Sequence, residues 1–220
     1  MEKIRRNKKM IIITGLLFLI PFIVSMLMWN RLPEQLPTHW NAAGEVDQYS
    51  SKAFALLALP LFLVAVHVIC IWGTTADPKN KAISDGAFGL VLFICPVIYA
   101  VITYLELSVA LGRQIDVSRL MTALISLLCI FVGNYLPKSR RNYTMGIKIP
   151  WTLNSDNNWN ATHRFGGILW MAVGIIGLVL CFLPFDKLFV PYIIVFVIAS
   201  GIVPMIYSYI YYLRYEKGKE

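Results

Sequence analysis

The sequence contains little charge. Only 15% of its 220 residues are Asp, Glu, Lys or Arg, whereas 58% are hydrophobic, and acidic residues are outnumbered by basic ones, 12 to 20. The apolar residues form long runs rather than recurring at the spacing of an amphipathic helix or strand. This composition excludes an ordinary soluble domain and indicates a membrane protein.

Catalytic and redox motifs are also missing. The sequence contains no HExxH and no GxSxG. Cys70, Cys95, Cys129 and Cys181 all fall within apolar runs and form no CxxC pair, so they are interpreted as small hydrophobic residues without a redox or metal role. We therefore predict no cofactor and no catalytic residues.

The apolar runs are long enough to cross a membrane. A bilayer core of about 30 Å requires about 20 apolar residues in a helix. Six segments meet this requirement: 10–29, 53–72, 86–105, 120–136, 165–184 and 188–213. The sequence therefore predicts an all-α, polytopic protein with six transmembrane helices. The first run is too long for a signal peptide and lacks a small-residue cleavage site, so we expect an uncleaved helix.

The basic residues predict the orientation, because cytoplasmic loops retain Lys and Arg. Fifteen of them fall on the side of the N-terminus and only five on the other side. Both termini and residues 138–164 are therefore predicted to be cytoplasmic, with residues 30–52 outside. The net charge of +8 is attributed to this topology and to anionic membrane lipids, and no direct nucleic-acid binding is expected.

The outer loop, residues 30–52, contains a histidine and two carboxylates close together. Gly44 permits a turn that brings Glu45 and Asp47 back towards His39. These three side chains are weak candidates for a divalent-cation site, since their spacing matches no standard zinc pattern. A polar surface loop is the favoured alternative.

The inner loop, residues 138–164, is the most polar stretch between spans. Gly146 permits a tight turn, and Pro150 predicts that residues 146–153 run extended along the membrane surface. The aromatic belt and the cytoplasmic excess of positive charge explain its composition in part. They do not explain the density of Asn, Gly, Trp, Thr and His, so a partner or ligand site is predicted here.

A helix start follows within this loop. Ser155 or Asp156 is the predicted N-cap of a short interfacial helix that leads into the fifth span. Trp159 and His163 are four residues apart and therefore share one face of that helix.

Three stretches resemble known families. LPTHWNAAGEVDQYSSK resembles a small domain of unknown function, DUF1648, and GNYLPKSRRNYTMGIKIPWTLNSDNNWNATHRFGG closely resembles the signature of the SdpI family of bacterial immunity proteins. DPKN, at residues 77–80, resembles that family's second loop. The resemblance implies a DUF1648-like region at 1–73 and an SdpI-like region at 74–220.

The family resemblance also implies a function and partners. It implies a multi-pass protein that protects the cell from a secreted SdpC-type killing peptide. It further implies signalling, in which the protein holds an ArsR-type autorepressor at the membrane. Lys148, Ile149 and Gln48 depart from the residues that are usual in the family, where Arg, Thr and Gly are common. Losing a planar guanidinium at Lys148 bears most on the signalling function.

The candidate site residues divide between the two loops. The outer-loop candidates for peptide binding are His39, Trp40, Gly44, Glu45, Asp47 and Lys52. The cytoplasmic-loop candidates for partner binding are Asn134, Asn142, Gly146, Lys148, Pro150, Trp151, Thr152, Leu153, Trp159, His163 and Arg164.

Two alternative functions remain open at this point. One is a membrane-embedded, metal-dependent enzyme that uses either His39, Glu45 and Asp47 in the outer loop or His163 in the inner loop. The other is a small transporter or channel, which the scarcity of ionisable residues in the spans disfavours. Within the spans, His67 is interpreted as a histidine satisfied by a neighbouring helix, and Glu106 as an interfacial acid.

Overall fold

The computed structural model describes residues 2–79, 83–184 and 188–218. Most of the chain is helical, which confirms the predicted fold class. The helices are α1 (Glu2–Arg6), α2 (Lys8–Met28), α3 (Leu59–Ala76), α4 (Asp85–Ala110), α5 (Val117–Tyr135), α6 (Pro150–Asn154), α7 (Asp156–Leu180), α8 (Phe189–Val197) and α9 (Val203–Tyr215). Asn80 of the DPKN motif and three basic residues of the orientation argument, Lys81, Lys187 and Lys219, lie outside the described residues.

Six helical stretches are long and apolar enough to cross a membrane, as predicted. They are Lys8–Arg31, Phe54–Ala76, Asp85–Ala110, Val117–Lys138, Asp156–Leu180 and Phe189–Tyr215. The fifth begins at Asp156 rather than at residue 165, because the polar residues after Ser155 continue directly into the apolar helix. The predicted short interfacial helix is therefore the first part of α7.

Two of the spans contain a wider π-helical segment just before a proline. Phe54–Ala58 precedes Pro60, and Ile198–Ile202 precedes Pro204. Proline has no backbone N–H, so the usual bond to the preceding turn is missing. A local π-helical segment re-pairs the carbonyl groups there, as in other interrupted membrane helices.

Residues 35–51 form an antiparallel hairpin of β1 (Gln35–Trp40) and β2 (Val46–Ser51). The turn at Gly44 agrees with the sequence-based prediction, whereas the strand pairing was not predicted. Asn41 stabilises the turn, because its Oδ1 accepts hydrogen bonds from the backbone N–H groups of Ala43 at 2.9 Å and Glu45 at 3.1 Å. Gly44 has a φ of 80°, which glycine adopts without strain.

The chain forms two compact units. Unit 1 comprises Met1–Thr75 with Phe88–Val117, and unit 2 comprises Ala76–Ala87 with Ser118–Glu220. The hairpin therefore belongs to unit 1 and residues 138–164 belong to unit 2. The division into family regions at residue 73 concerns sequence resemblance rather than packing, and it stays a prediction.

Within unit 2, glycines let α5 and α7 approach closely. A Cβ atom added to Gly167 would lie 2.7 Å from the carbonyl oxygen of Gly133, and one added to Gly174 would lie 2.5 Å from that of Ser126. Small residues at such crossings allow backbones to touch, which is a common way to join membrane helices. This crossing fixes the position of α7, which carries Trp159 and His163.

Candidate functional sites in the hairpin and the 138–164 segment

The hairpin exposes a histidine–carboxylate pair. The Nδ1 of His39 lies 2.5 Å from the Oδ1 of Asp47, and the two side chains are 61% and 42% exposed. The carboxylate of Glu45 is instead 3.3 Å from the amide nitrogen of Asn41. The structure thus brings together two of the three predicted metal candidates. In the parts of the chain that the structure describes, no three His, Cys, Asp or Glu side chains are placed to hold a metal ion.

Lys52 differs from the other hairpin candidates because it is buried, with 6% of its surface exposed. Its ammonium group donates to the carbonyl oxygens of Trp29 at 3.3 Å and Leu32 at 3.2 Å, and to the carboxylate of Glu34 at 3.0 Å. An ammonium group has three donors, so all of them are used. Lys52, which directly follows β2, therefore connects the hairpin to the residues at the end of the first span by hydrogen bonds.

In the 138–164 segment, Trp159 and His163 form a buried stack. Their ring centroids are 3.9 Å apart, with planes 18° from parallel, and the residues are 0% and 1% exposed. The indole N–H of Trp159 donates to the carbonyl oxygen of Ser139 at 2.7 Å. The backbone N–H of Ile147 donates to Nε2 of His163 at 2.9 Å. The stack therefore anchors the loop to α7.

The hydrogen bonds of His163 define its protonation state. Because Nε2 accepts a hydrogen bond from Ile147, the ring proton resides on Nδ1, which lies 2.8 Å from the carbonyl oxygen of Trp159. The imidazole is therefore neutral, and both nitrogens have partners. This side chain holds the loop in place and has no free nitrogen for a metal or a substrate.

Gly146 makes this arrangement possible. Its φ is 115°, a conformation that residues with a side chain rarely adopt. A Cβ atom at this position would overlap Nε2 of His163 and lie 3.1 Å from the ring of Trp159. The predicted tight turn is therefore confirmed, and the close packing of the loop against the aromatic stack explains the need for glycine.

Asn142 organises the first half of the loop and is fully buried. Its amide nitrogen donates to the hydroxyl of Ser139 at 3.2 Å and to the carbonyl of Arg140 at 2.8 Å. Its Oδ1 accepts from the backbone N–H groups of Thr144 at 3.0 Å and Met145 at 2.7 Å. All four bonding positions of the amide are used within the loop.

The prediction that residues 146–153 run extended is wrong for their second half. Pro150 begins α6, because its fixed φ suits the first position of a helix. Thr152 then closes the turn. Its hydroxyl accepts from the N–H of Ile149 at 3.1 Å and donates to the carbonyl of Ile147 at 2.7 Å.

The remaining α6 candidates make structural contacts. The ring of Trp151 lies 4.9 Å from that of Tyr209 on α9. The carbonyl of Leu153 accepts from the Nη1 of Arg141 at 2.8 Å. The Nε of Arg141 lies 2.7 Å from the carboxylate of Asp156, but it makes no directed hydrogen bond, so this contact is ionic. These contacts hold α6 against α7 and α9.

The structure adds Asn158, which is not among the candidates predicted from the sequence. It is fully buried, and its amide nitrogen donates to the carbonyl of Ser208 at 3.0 Å and to Glu216 at 3.3 Å. Its Oδ1 accepts from the hydroxyls of Ser208 at 2.7 Å and Thr162 at 3.0 Å. The hydroxyl of Ser155 caps α7 as predicted, accepting from the N–H of Asn158 at 3.1 Å. Asn158 therefore joins α7 to α9.

A second added residue is Asp77, within the DPKN motif. Its carboxylate accepts from the backbone N–H of Lys79 at 2.7 Å, and from the backbone N–H of Tyr143 at 2.9 Å and the hydroxyl of Thr144 at 2.6 Å. Burial raises the pKa of this carboxyl, but the hydrogen bonds lower it by more. The net result is a pKa below the usual value for aspartate. The charged form ties residues 77–79 to the 138–164 segment.

The cationic side chains of the segment fall into two groups. Lys138 donates to Oδ1 of Asn134 at 3.0 Å, and Lys148 donates to two loop carbonyls at 3.2 and 3.0 Å. Arg140 and Arg164 are exposed, and neither side chain contacts a polar partner in the described ranges. Among the cationic side chains of residues 138–164, these two guanidinium groups are therefore available for an external partner.

Unit 1 also contains buried polar groups within its spans. His67, Thr103 and Glu106 are 5%, 3% and 2% exposed. Both ring nitrogens of His67, the hydroxyl of Thr103 and one carboxyl oxygen of Glu106 have no hydrogen-bond partner among residues 2–79, 83–184 and 188–218. The expectation that a neighbouring helix satisfies His67 is therefore wrong for the described residues, and Glu106 is buried in protein.

The fold defines a polytopic membrane protein with six helices long enough to span the bilayer and a buried hydrogen-bond network in its longest polar segment. Comparison with known proteins gives the family. Residues 138–208 match the SdpI/YfhL protein family, and residues 16–64 match the domain of unknown function DUF1648. The chain is an SdpI-family protein that also carries DUF1648, as its motifs predicted.

Two similar proteins extend the comparison. The chain is 23% identical over 204 residues to the "Immunity protein SdpI" of Bacillus subtilis (strain 168), an alignment that covers 92% of this chain and 96% of that protein. It is 36% identical over 61 residues to an uncharacterized protein of Archaeoglobus fulgidus, covering 28% of this chain and 31% of that protein. No solved structure matches the chain.

Proposed function

We propose that this protein is a membrane immunity protein that protects its cell against a secreted antimicrobial peptide of the SdpC type. The observation that carries this proposal is the similarity to the immunity protein SdpI, which extends over 92% of the chain. Protection acts by binding the peptide rather than by catalysis. In support, both nitrogens of His163, the histidine considered for an enzyme, are engaged in the fold.

The peptide meets the hairpin, which belongs to the DUF1648-like region. This loop exposes charged and aromatic side chains that do not hold the fold together, in particular His39, Asp47 and Tyr49, which is 55% exposed. A membrane-active peptide approaches from outside, so this role requires the hairpin to lie on the outer face. The uneven distribution of Lys and Arg supports that orientation, with both termini cytoplasmic.

The inner partner is a soluble protein, for which we propose an ArsR-type repressor that meets the 138–164 segment. The exposed guanidinium groups of Arg140 and Arg164 are the contact points, since an acidic surface would pair with them through charge-assisted hydrogen bonds. Asn142, Thr152, Trp159 and His163 are buried and act as the scaffold that presents those two side chains. The apolar faces of the spans contact membrane lipids.

Cysteine labelling tests the orientation. Ala42→Cys in the hairpin turn and Asn160→Cys on α7 change exposed residues whose side chains make no hydrogen bond. A membrane-impermeant maleimide added to intact cells should label Ala42→Cys and should label Asn160→Cys only after the membrane is permeabilised. The unchanged protein gives the background from the four native cysteines. Labelling of Asn160→Cys in intact cells would contradict the topology.

A rescue assay tests the function. The full chain is expressed in cells that are sensitive to the SdpC-derived killing peptide, and survival is measured with membrane abundance of the protein as a control. We expect survival to rise with the unchanged chain and to fall with His39→Ala and Asp47→Asn. Arg164→Ala should keep protection and lose repressor recruitment, measured by membrane co-fractionation. Unchanged killing in cells that contain the full chain would refute the immunity function.

A further inference from the structure

A cavity of about 420 Å³ lies between the hairpin turn and the end of α4, wholly within unit 1. Trp40, Gly44 and Val46 form one wall, and Val109 with residues 113–117 forms the other. A cavity of this volume falls at the small end of the range found for ligand sites, about 300–1,000 Å³. None of the contacts described so far accounts for it.

The cavity offers hydrogen-bond donors. Arg113 and Gln114 are exposed, and neither side chain has a polar partner among the residues that the structure describes. The indole N–H of Trp40 is covered by protein atoms and also has no partner in the described residues. Trp40 therefore contributes an unsatisfied buried donor among the residues that line the cavity.

Two backbone acceptors at the end of α4 are already occupied. The end of α4 is closed by two backbone bonds, from Gly112 N–H to the Val109 carbonyl at 2.9 Å and from Arg113 N–H to the Ser108 carbonyl at 2.9 Å. This is the pattern in which a glycine with positive φ, here 76°, ends a helix. These two carbonyl oxygens accept backbone hydrogen bonds and therefore do not compete with a ligand for the Arg113 guanidinium.

The acidic side chains around the cavity are engaged as well. Asp47 pairs with His39, Glu45 contacts Asn41, and Asp116 has an internal contact. The guanidinium of Arg113 is thus a cation without a counter-charge, next to two neutral donors. Its planar fork matches a carboxylate, which accepts two parallel N–H bonds.

We propose that this cavity binds a carboxylate group of a peptide, with Arg113 as the charged contact, Gln114 as a neutral donor and the ring of Trp40 as the apolar wall. The proposal rests on peptide binding by the hairpin and names the chemical group that is recognised. The carboxylate comes from the end of the peptide chain or from an acidic side chain, and the experiment distinguishes these two sources.

The test uses the purified full-length protein in detergent micelles with ¹⁵N-labelled tryptophan, and follows the indole N–H signal of Trp40, assigned with Trp40→Phe. N-acetylglycine supplies a chain-terminal carboxylate and N-acetylaspartyl amide supplies a side-chain carboxylate. N-acetylglycinamide is the uncharged control. We expect a saturable shift with at least one carboxylate, none with the amide, and weaker binding as salt concentration rises.

Two matched variants sharpen the test. Arg113→Gln keeps a donor but removes the charge, and should weaken carboxylate binding about tenfold or more. Arg31→Gln removes another exposed, unpartnered cation of unit 1 that does not line the cavity, and should leave binding unchanged. Equal binding by the unchanged protein and Arg113→Gln, no shift with either carboxylate, or tighter binding of inorganic phosphate than of both carboxylates would overturn the proposal.

The carboxylate-binding test and the rescue assay can give different results, which distinguishes failure of this proposal from failure of the proposed function. Carboxylate binding without rescue from the killing peptide would refute the immunity function and leave the cavity's role intact. Rescue by the unchanged chain, without any carboxylate-induced shift of Trp40, would refute the cavity's role alone.

Discussion

The hairpin of unit 1 and the 138–164 segment of unit 2 both combine histidine, tryptophan and acidic or amide side chains, but they use them differently. In the hairpin, the side chain of His39 is 61% exposed and has one carboxylate partner. In the 138–164 segment, His163 is 1% exposed, with both ring nitrogens bonded to backbone. The hairpin presents its polar groups, whereas the 138–164 segment uses them to hold its own shape.

The sequence predicted both exposed and buried residues as binding candidates, and the structure separates the two kinds. Substitutions in the buried network should affect folding first and partner binding only through folding. Substitutions at exposed positions should affect binding with little change in stability. Measurements of the unfolding free energy of the purified protein in micelles therefore test the comparison directly.

The largest effect is expected for Asn158→Ala. It removes four hydrogen bonds and leaves the hydroxyl and carbonyl of Ser208 without their partner in a buried position. Each buried polar group left unpaired costs about 1–3 kcal/mol, so the two groups together predict a loss of about 2–6 kcal/mol. Asn134→Ala is the matched control, because Asn134 is exposed and its side chain bonds only to Lys138 among the residues that the structure describes. Equal losses in the two variants would contradict the buried network.

Gly146→Ala should cost slightly less, about 2–3 kcal/mol. The added Cβ strains the backbone at a φ of 115° and overlaps His163. Gly112→Ala separates these contributions, since Gly112 has a φ of 76° with nothing within 4 Å of the added Cβ. It should cost only about 1 kcal/mol of backbone strain. If Gly112→Ala costs as much as Gly146→Ala, the contact with His163 contributes nothing.

Asp77→Asn should cost about 1–2 kcal/mol at pH 7, because charge-assisted hydrogen bonds to Thr144 and Tyr143 are lost. The folded-state pKa of Asp77 is lowered, so its contribution is fully present above the unfolded-state pKa of about 4 and is lost as pH falls through the lower folded-state value. The stability difference between the two proteins should therefore shrink below about pH 4. A difference that stays constant down to acidic pH would contradict the charged form.

His39→Ala should have the smallest effect on stability. The pair with Asp47 is exposed, and exposed ion pairs contribute about 0–1 kcal/mol. Protection against the peptide should nevertheless decline in the rescue assay, at unchanged membrane abundance of the protein. A loss of stability as large as that of Asn158→Ala would place His39 in the scaffold rather than on a binding surface.

The sequence predicted the number of membrane spans correctly, but it predicted the structure of residues 138–164 only in part. Six apolar runs indicated six spans because a bilayer imposes a fixed length of apolar helix. Gly146 and Ser155 were also predicted correctly, since a tight turn and a helix N-cap have local chemical signatures. Local rules failed at Pro150, where they predicted extended chain although proline is also favoured at the first position of a helix.

The residues that the sequence missed have partners far away in the chain. Asn158 bonds to Ser208 and Asp77 bonds to Tyr143 and Thr144, and no spacing rule links positions so distant. The DPKN motif contains Asp77, but nothing in these four residues indicates that the carboxylate bonds to the 138–164 segment.

By itself the sequence determined that the chain is a membrane protein with six spans and that it carries the motifs of its family, because hydrophobicity and short motifs are properties of contiguous residues. Only the tertiary structure decided which polar residues are exposed and which are buried as scaffold. Burial depends on which helices pack together, and His39 and His163, identical as side chains, take opposite roles for that reason.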